Sequence, residues 1–253
     1  GLSTFVSLAL TTDMLLVVIA QKVQLGADSY LMMAVPLFIL AAAGLFMWLI
    51  FLSAPMEGKR KTKEKTTDWS FLKSKKFWLL TGLLFCQNAA EFSVNGWMVT
   101  YFKDSGIISG MLSTYTVTVM WTATLIARML IAFVFPIKNS YSAMIKMGAG
   151  CIVFYLGMMM AGSQIPAILL LFAFAFAMAG MNPTAVASAG KMTSATSIGV
   201  MLPAASSGAI IMPWVTGIIS QYAGLSVGMA SNIVPCAGLL VFAVLVKRVS
   251  EEE

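Results

Sequence analysis

The sequence predicts an all-α fold: a polytopic bundle of membrane-spanning helices. Two observations carry this. Apolar runs of spanning length fill most of the 253 residues, with 59% of the chain hydrophobic and only 10% charged. A bilayer core takes about 20 apolar residues per helix, and a soluble chain is typically about 25% charged. The second observation is how the positive charge is sorted. Folded back and forth as eight spans, the chain places Arg128, Lys138, Lys146, Lys191, Lys247, Arg248 and the basic stretch 59–76 on one side. Only Lys22 and Lys103 fall on the other. Cytoplasmic loops carry such an excess of Lys and Arg, so the basic stretch and the C-terminus are expected in the cytoplasm of a multi-pass cell (inner) membrane protein.

The elements follow in order. The first span is expected over 2–20 and the second over 30–54, joined by a polar link with Gln21, Lys22, Gln24 and Asp28. Residues 55–76 are the one long hydrophilic segment and the natural domain boundary, a basic cytoplasmic linker between residues 1–54 and 77–253. Its Asp68-Trp69-Ser70-Phe71-Leu72-Lys73 sets apolar residues beside Lys, a pattern suited to lying on anionic lipid. The third span is 77–102, closed by Lys103-Asp104-Ser105-Gly106. The fourth is 110–135, ended by Pro136 and Lys138-Asn139-Ser140. The fifth covers 141–161 and the sixth 166–189, which opens on Pro166, where a missing N–H costs nothing. The seventh is 198–221 and the eighth 227–246, ahead of Lys247-Arg248. The chain starts with Gly1 and enters an apolar run at once, so further N-terminal helices of the same protein are expected upstream.

Composition excludes several classes. The net charge of +6 lies in loops where topology alone demands it, and the aromatics sit inside spans, so nucleic acid is not an expected partner. There is no His, and Cys86, Cys151 and Cys236 are far apart within apolar runs, which fits small buried hydrophobes and no metal site. No cofactor is expected. Without His, paired catalytic carboxylates or a phosphate loop, the chain does not read as an enzyme.

Polar residues inside the spans carry the functional reading. Lipid tails offer no hydrogen-bond partner, so such residues face protein or a wet cavity. The second, fifth and eighth spans are nearly apolar, with Tyr155 and Asn232 as the main exceptions in the last two. The first, third and fourth are rich in polar side chains, Thr118 among them. For single Ser and Thr residues, interhelical hydrogen bonding is the simplest role. Asp13 and Glu91 resist it. A charge at the bilayer centre costs roughly 2.5–3.5 kcal/mol or more. Leaving water disfavours the charged form of a carboxyl, which lets it take up and release a proton. Both are candidate proton-coupling groups, with a structural carboxylate as the alternative.

Gln87, Asn88, Glu91 and Asn95 fall on one stripe of a 3.6-residue helix, followed by Gly96-Trp97 and Tyr101. An aromatic ring beside amides suits a sugar-like solute. Gln87, Asn88, Asn95, Trp97, Thr118 and Asn182 are therefore the candidate solute-binding residues. Mid-span prolines add a second pointer. Met181-Asn182-Pro183-Thr184, Pro203 and Pro213 interrupt otherwise apolar runs, and interrupted helices often mark a transport site.

Residues 88–107, with Glu91 ahead of Gly96-Trp97 and Thr100-Tyr101, resemble the seventh helix of the major facilitator superfamily, in particular bacterial fucose permeases and sodium–glucose facilitators. Residues 122–133 resemble the end of its eighth helix. Arg128 stands where the family has its arginine, with Ala127 and Ala132 in place of two glycines, and Pro136-Ile137-Lys138 replaces the charged residues that often follow. Residues 180–185 and 213–217 resemble the tenth and eleventh helices. The resemblance covers 77–248; residues 1–54 match the fifth and sixth helices by position and hydropathy. It implies a major facilitator fold with eight of twelve helices present, and gating roles for Arg128, Pro183 and Pro213. It also implies a secondary transporter of a small polar organic solute, a sugar or related metabolite, working by alternating access and coupled to protons or, alternatively, sodium. Membrane lipids are the remaining expected partners. A multidrug-type efflux transporter, suggested by Phe172, Phe174, Phe176 and Met178, is one alternative. A non-transporting scaffold or inactive fragment is the other.

Overall fold

The computed structural model describes residues 69–108, 110–190 and 195–252. Both expected spans before the linker, with Asp13, lie outside the described residues, as does Lys191. Trp69–Glu253 forms one compact unit.

All regular structure among the described residues is helical. A short 3-10 turn, Ser70–Lys73, leads into α1, Lys75–Asp104. Ser74 caps α1, its hydroxyl accepting from the Phe77 N–H at 3.4 Å, which satisfies one of the free donors of the first turn. Residues 69–76 were read from sequence as the end of the linker; 69–74 pack onto this helix, and Lys75 and Lys76 are its first two residues. Phe71 is buried with its ring 5.0 Å from that of Phe77, and the Trp78 indole N–H donates to the Leu72 carbonyl at 2.8 Å.

The chain continues through α2 (Gly110–Phe133), α3 (Ser140–Met160), α4 (Gln164–Met178), α5 (Met181–Gly190), α6 (Ala195–Ser206), α7 (Gly208–Ala223), α8 (Leu225–Ala230) and α9 (Ile233–Glu252). Asn139 starts α3 as a side-chain cap, accepting from the Ser142 N–H at 3.1 Å. Gly224, at φ +89, makes the sharp turn from α7 to α8 in a backbone region that side-chain-bearing residues avoid.

Five stretches among the described residues are long and apolar enough to cross a membrane: Leu112–Phe133, Ser140–Met160, Gln164–Gly190, Thr196–Ala223 and Leu225–Glu251. They correspond to the expected fourth to eighth spans. The last three are each interrupted once, at 179–180, at Ser207 and at 231–232. Breaks were expected in the sixth and seventh spans, at 181–184 and at Pro203 and Pro213, while the eighth was expected to be continuous. In the seventh span the interruption falls between Pro203 and Pro213, and both prolines sit inside helices. The expected third span is α1. Its 30 residues reach about 45 Å, but its polar stripe keeps it out of the apolar set.

That helix is the centre of the bundle. It touches α2, α5, α6, α7, α8 and α9, so the most polar helix is the one most surrounded by protein, as an apolar solvent requires. Leu80, Leu83, Leu84, Met144, Cys151, Tyr155, Leu171 and Leu239 build the core. The outer surface is apolar too: Ile210 is 74% exposed, Val234 69% and Val153 63%. A bundle apolar inside and out is built for lipid.

The charge sorting has a counterpart in the packing. The Lys76 ammonium donates to the Ser250 hydroxyl at 3.2 Å and lies 5.8 Å from the Tyr141 ring. The starts of α1 and α3 and the end of α9 thus share one end of the bundle, and Lys75, Lys76, Lys138, Lys247 and Arg248 gather there.

Candidate functional site

The polar stripe of α1 meets the interruption between α4 and α5. The Asn182 amide donates to the Gln87 side-chain oxygen at 3.0 Å, and the Gln87 amide donates to Glu91. Three of the predicted residues thus form one chain of hydrogen bonds running from the first turn of α5 to a carboxyl near the middle of α1. Gln87 is fully buried; Asn182 and Glu91 are partly so. Between Trp69 and Lys103 Glu91 is the one acidic residue, and after Asp104 the next is Glu251.

Proline chemistry explains the geometry of the break. Pro183 lies in the first turn of α5, where its lack of an N–H is tolerated. Four residues back, the Ala179 carbonyl consequently has no helical donor. Arg128 of α2 fills that place, its Nε–H donating to the Ala179 oxygen at 3.3 Å. A cation at the end of α4 also complements the partial negative charge of a helix C-terminus. Glu91 and Arg128 act on each other electrostatically. The predicted gating pair Arg128 and Pro183 is therefore brought together with the predicted Glu91, Gln87 and Asn182 around a single helix break.

The other predicted residues fall into different surroundings. The Asn88 amide donates to the Ala205 carbonyl at 3.2 Å, next to the α6–α7 break. The Trp97 indole N–H donates to the carbonyl of Pro213 at 2.9 Å. Its ring lies on Gly217, where an added Cβ would stand 2.9 Å from the indole. Both side chains thus already hold the α6–α7 helices to α1. Asn95 is the exception on the stripe: its Oδ1 is buried with no hydrogen-bond partner among the described residues, so it has acceptor capacity to spare. Thr118 has an equally unpartnered hydroxyl but lies in an apolar groove between α2 and α4, beside Tyr115, Thr122, Ile168 and Phe172. The aromatic set considered for efflux spreads out. Phe174 and Met178 are core, while Phe172 and the more exposed Phe176 stack at 6.2 Å.

Sequence reasoning missed two contacts. Ser93 and Thr216 share a hydrogen bond of 2.8 Å in the fully buried α1–α7 interface; Ser93 lies off the stripe and its partner is 123 residues away. The Arg128–Ala179 bond was open to discovery, because a proline always frees the carbonyl four residues before it. Among the described residues no cluster of three His, Cys, Asp or Glu side chains offers a metal site.

No protein-family model matches the chain, and no curated protein matches it.

Proposed function

We propose that this chain is the larger part of a secondary transporter of the major facilitator type, moving a small polar organic solute such as a sugar across the cell membrane by alternating access. One observation carries the reading. A membrane-embedded carboxyl, Glu91, is wired through Gln87 and Asn182 to a helix interruption whose loose carbonyl is held by Arg128. Interrupted helices with inward polar groups near mid-membrane are the usual setting of a transport site. As a carboxylate, Glu91 attracts Arg128 and accepts from Gln87; once protonated it loses the attraction and part of the acceptor strength. Proton uptake thereby changes the balance of forces on the α4–α5 break. That is the differential interaction a driving ion needs to shift a conformational equilibrium. Asn95, with its unused acceptor, is the side chain assigned to the solute. In this reading the charge-rich end of the bundle, with the C-terminus, faces the cytoplasm.

The test uses the full-length protein in proteoliposomes with an imposed proton gradient and a panel of labelled sugars. Glu91→Gln keeps the shape and removes titration. It is expected to abolish accumulation against a gradient while exchange of labelled for unlabelled solute persists. Wild-type accumulation by this variant would end the coupling role. Accumulation in the wild type that survives a protonophore but requires sodium would assign the driving ion to sodium.

A further inference from the structure

Outside the candidate site, one unexplained feature is a groove of about 580 Å³ between α2, α3 and α4. Its walls include Leu130, Ile131, Phe135, Phe154 and Phe176, and the one charged residue lining it is Lys146. Lys146 is exposed, two turns into α3 from the end of the bundle where the cations gather. Lys138, three residues beyond the groove-lining Phe135, is exposed at the same end. Among the described residues neither lysine makes a hydrogen bond or an ion pair. None is available nearby in sequence either, since no Asp or Glu occurs from Ser105 to Ser250. The one cation of α2, Arg128, is engaged at Ala179.

We propose that this groove is a binding site for an anionic phospholipid of the leaflet on the Lys-rich side. The phosphate is held by Lys138 and Lys146, and one acyl chain lies along the groove. Dimensions and charge both fit. From Lys146 to Phe154 the groove descends about 12 Å along α3, close to the roughly 15 Å of hydrocarbon in one leaflet. One lysine lining an apolar trench, with a second exposed at the same end of the bundle, matches one anionic headgroup above one hydrocarbon chain, and basic pockets between membrane helices commonly hold such lipids. A second copy of the same face would meet these lysines with more cations and no carboxylate. The proposal rests on the membrane placement of α2, α3 and α4, not on the transport reading. A bound lipid here would brace α4 from outside, just before the break that Arg128 holds.

The experiment is a native mass-spectrometric titration of the full chain in detergent with phosphatidylglycerol or phosphatidylcholine. Wild type is expected to retain phosphatidylglycerol preferentially. Reversing charge at an exposed lysine leaves the core intact, so Lys138→Glu and Lys146→Glu are each expected to weaken that binding by at least about fivefold, and together by at least about 25-fold. Lys103→Glu, at the opposite end of the bundle, is expected to leave it unchanged. A Phe154→Trp reporter should be quenched more by chain-brominated phosphatidylglycerol than by the brominated phosphatidylcholine. Equal binding of the two lipids overturns the proposal. So does wild-type binding by the double variant, a loss at Lys103→Glu as large as at the groove, or a concentration-dependent dimer that shields Lys146 from amine labelling.

Discussion

The two sides of α1 are held by different physics. Toward α9 the contact is apolar along its length, with the Lys76–Ser250 hydrogen bond only at its end: the Phe242 ring lies on Gly82, and the Cys86 sulfur faces Gly238. Toward α6 and α7 it is polar: Asn88 to Ala205, the Ser93–Thr216 hydroxyl pair and Trp97 to Pro213. The partner on the first side is an unbroken 20-residue helix, α9, and on the second a proline-containing pair of short ones. Water does not drive helices together inside a membrane, so association rests on close packing and interhelical hydrogen bonds. A regular helix offers grooves to pack into. An interrupted one offers loose carbonyls instead, and polar side chains collect there. In the transport cycle proposed above, the polar side is the one that would rearrange, against the α9 side as a wall.

The largest test of this contrast compares two glycines. At Gly208, the first residue of α7, an added Cβ would overlap the backbone carbonyl of Phe85 in α1. Backbone cannot turn aside, so Gly208→Ala is expected to force α7 away from α1 and cost about 3 kcal/mol. At Gly82 the same methyl meets the far end of the Phe242 ring, 2.7 Å away, which can shift. Gly82→Ala is expected to cost about 1 kcal/mol. Thermal unfolding of both variants in detergent measures the difference. Equal costs would mean that α7 yields as easily as a side chain, so that the close backbone contact at Gly208 does not hold the polar side of α1 in place.

Much of this was legible in the sequence because membrane helices announce themselves by length and charge. The expected fourth and fifth spans, 110–135 and 141–161, differ from α2 and α3 by no more than two residues at either end. The stripe of Gln87, Asn88, Glu91 and Asn95 was readable from periodicity, and the structure places Gln87 and Glu91 in one hydrogen-bonded chain. What periodicity cannot supply is the partner across the bundle. Nothing local links Trp97 to Pro213 or Ser93 to Thr216, pairs more than 100 residues apart. Nor does spacing separate Thr118, in its groove between α2 and α4, from the residues that gather around Glu91. The interruptions were misplaced for a related reason. Proline removes one hydrogen bond without setting where the helix yields. In the seventh span it yields at Ser207, between two prolines, with Pro203 and Pro213 both inside helices.

A sharper test of the polar side removes the clasp on the α4–α5 break. Arg128→Gln takes away the donor to Ala179, leaving a carbonyl inside the bundle without that partner, at an expected cost of about 2 kcal/mol. Pro183→Ala restores a backbone N–H four residues beyond Ala179, so the helix can satisfy that carbonyl itself. The double variant is expected to recover most of the stability lost by Arg128→Gln, which makes the two changes strongly non-additive. Additive losses would show that Arg128 stabilises the bundle through its charge, not through the proline-freed carbonyl.

The smallest expected effect sits in the middle of the α1–α7 contact. Ser93 and Thr216 are both fully buried and share one hydrogen bond. In the membrane, hydroxyl pairs of this kind average about 0.6 kcal/mol and reach about 1.7 at most, because the separated helices find other partners. A double-mutant cycle of Ser93→Ala and Thr216→Val is expected to give a coupling near the average. Its value distinguishes two ways of holding the polar side together. Near zero, the α7 helix is held by the Trp97 indole on Gly217 and by its N–H to Pro213, and the hydroxyls merely satisfy each other. Near the upper limit, the Ser93–Thr216 pair is the clasp itself, and any opening between α1 and α7 must begin by breaking it.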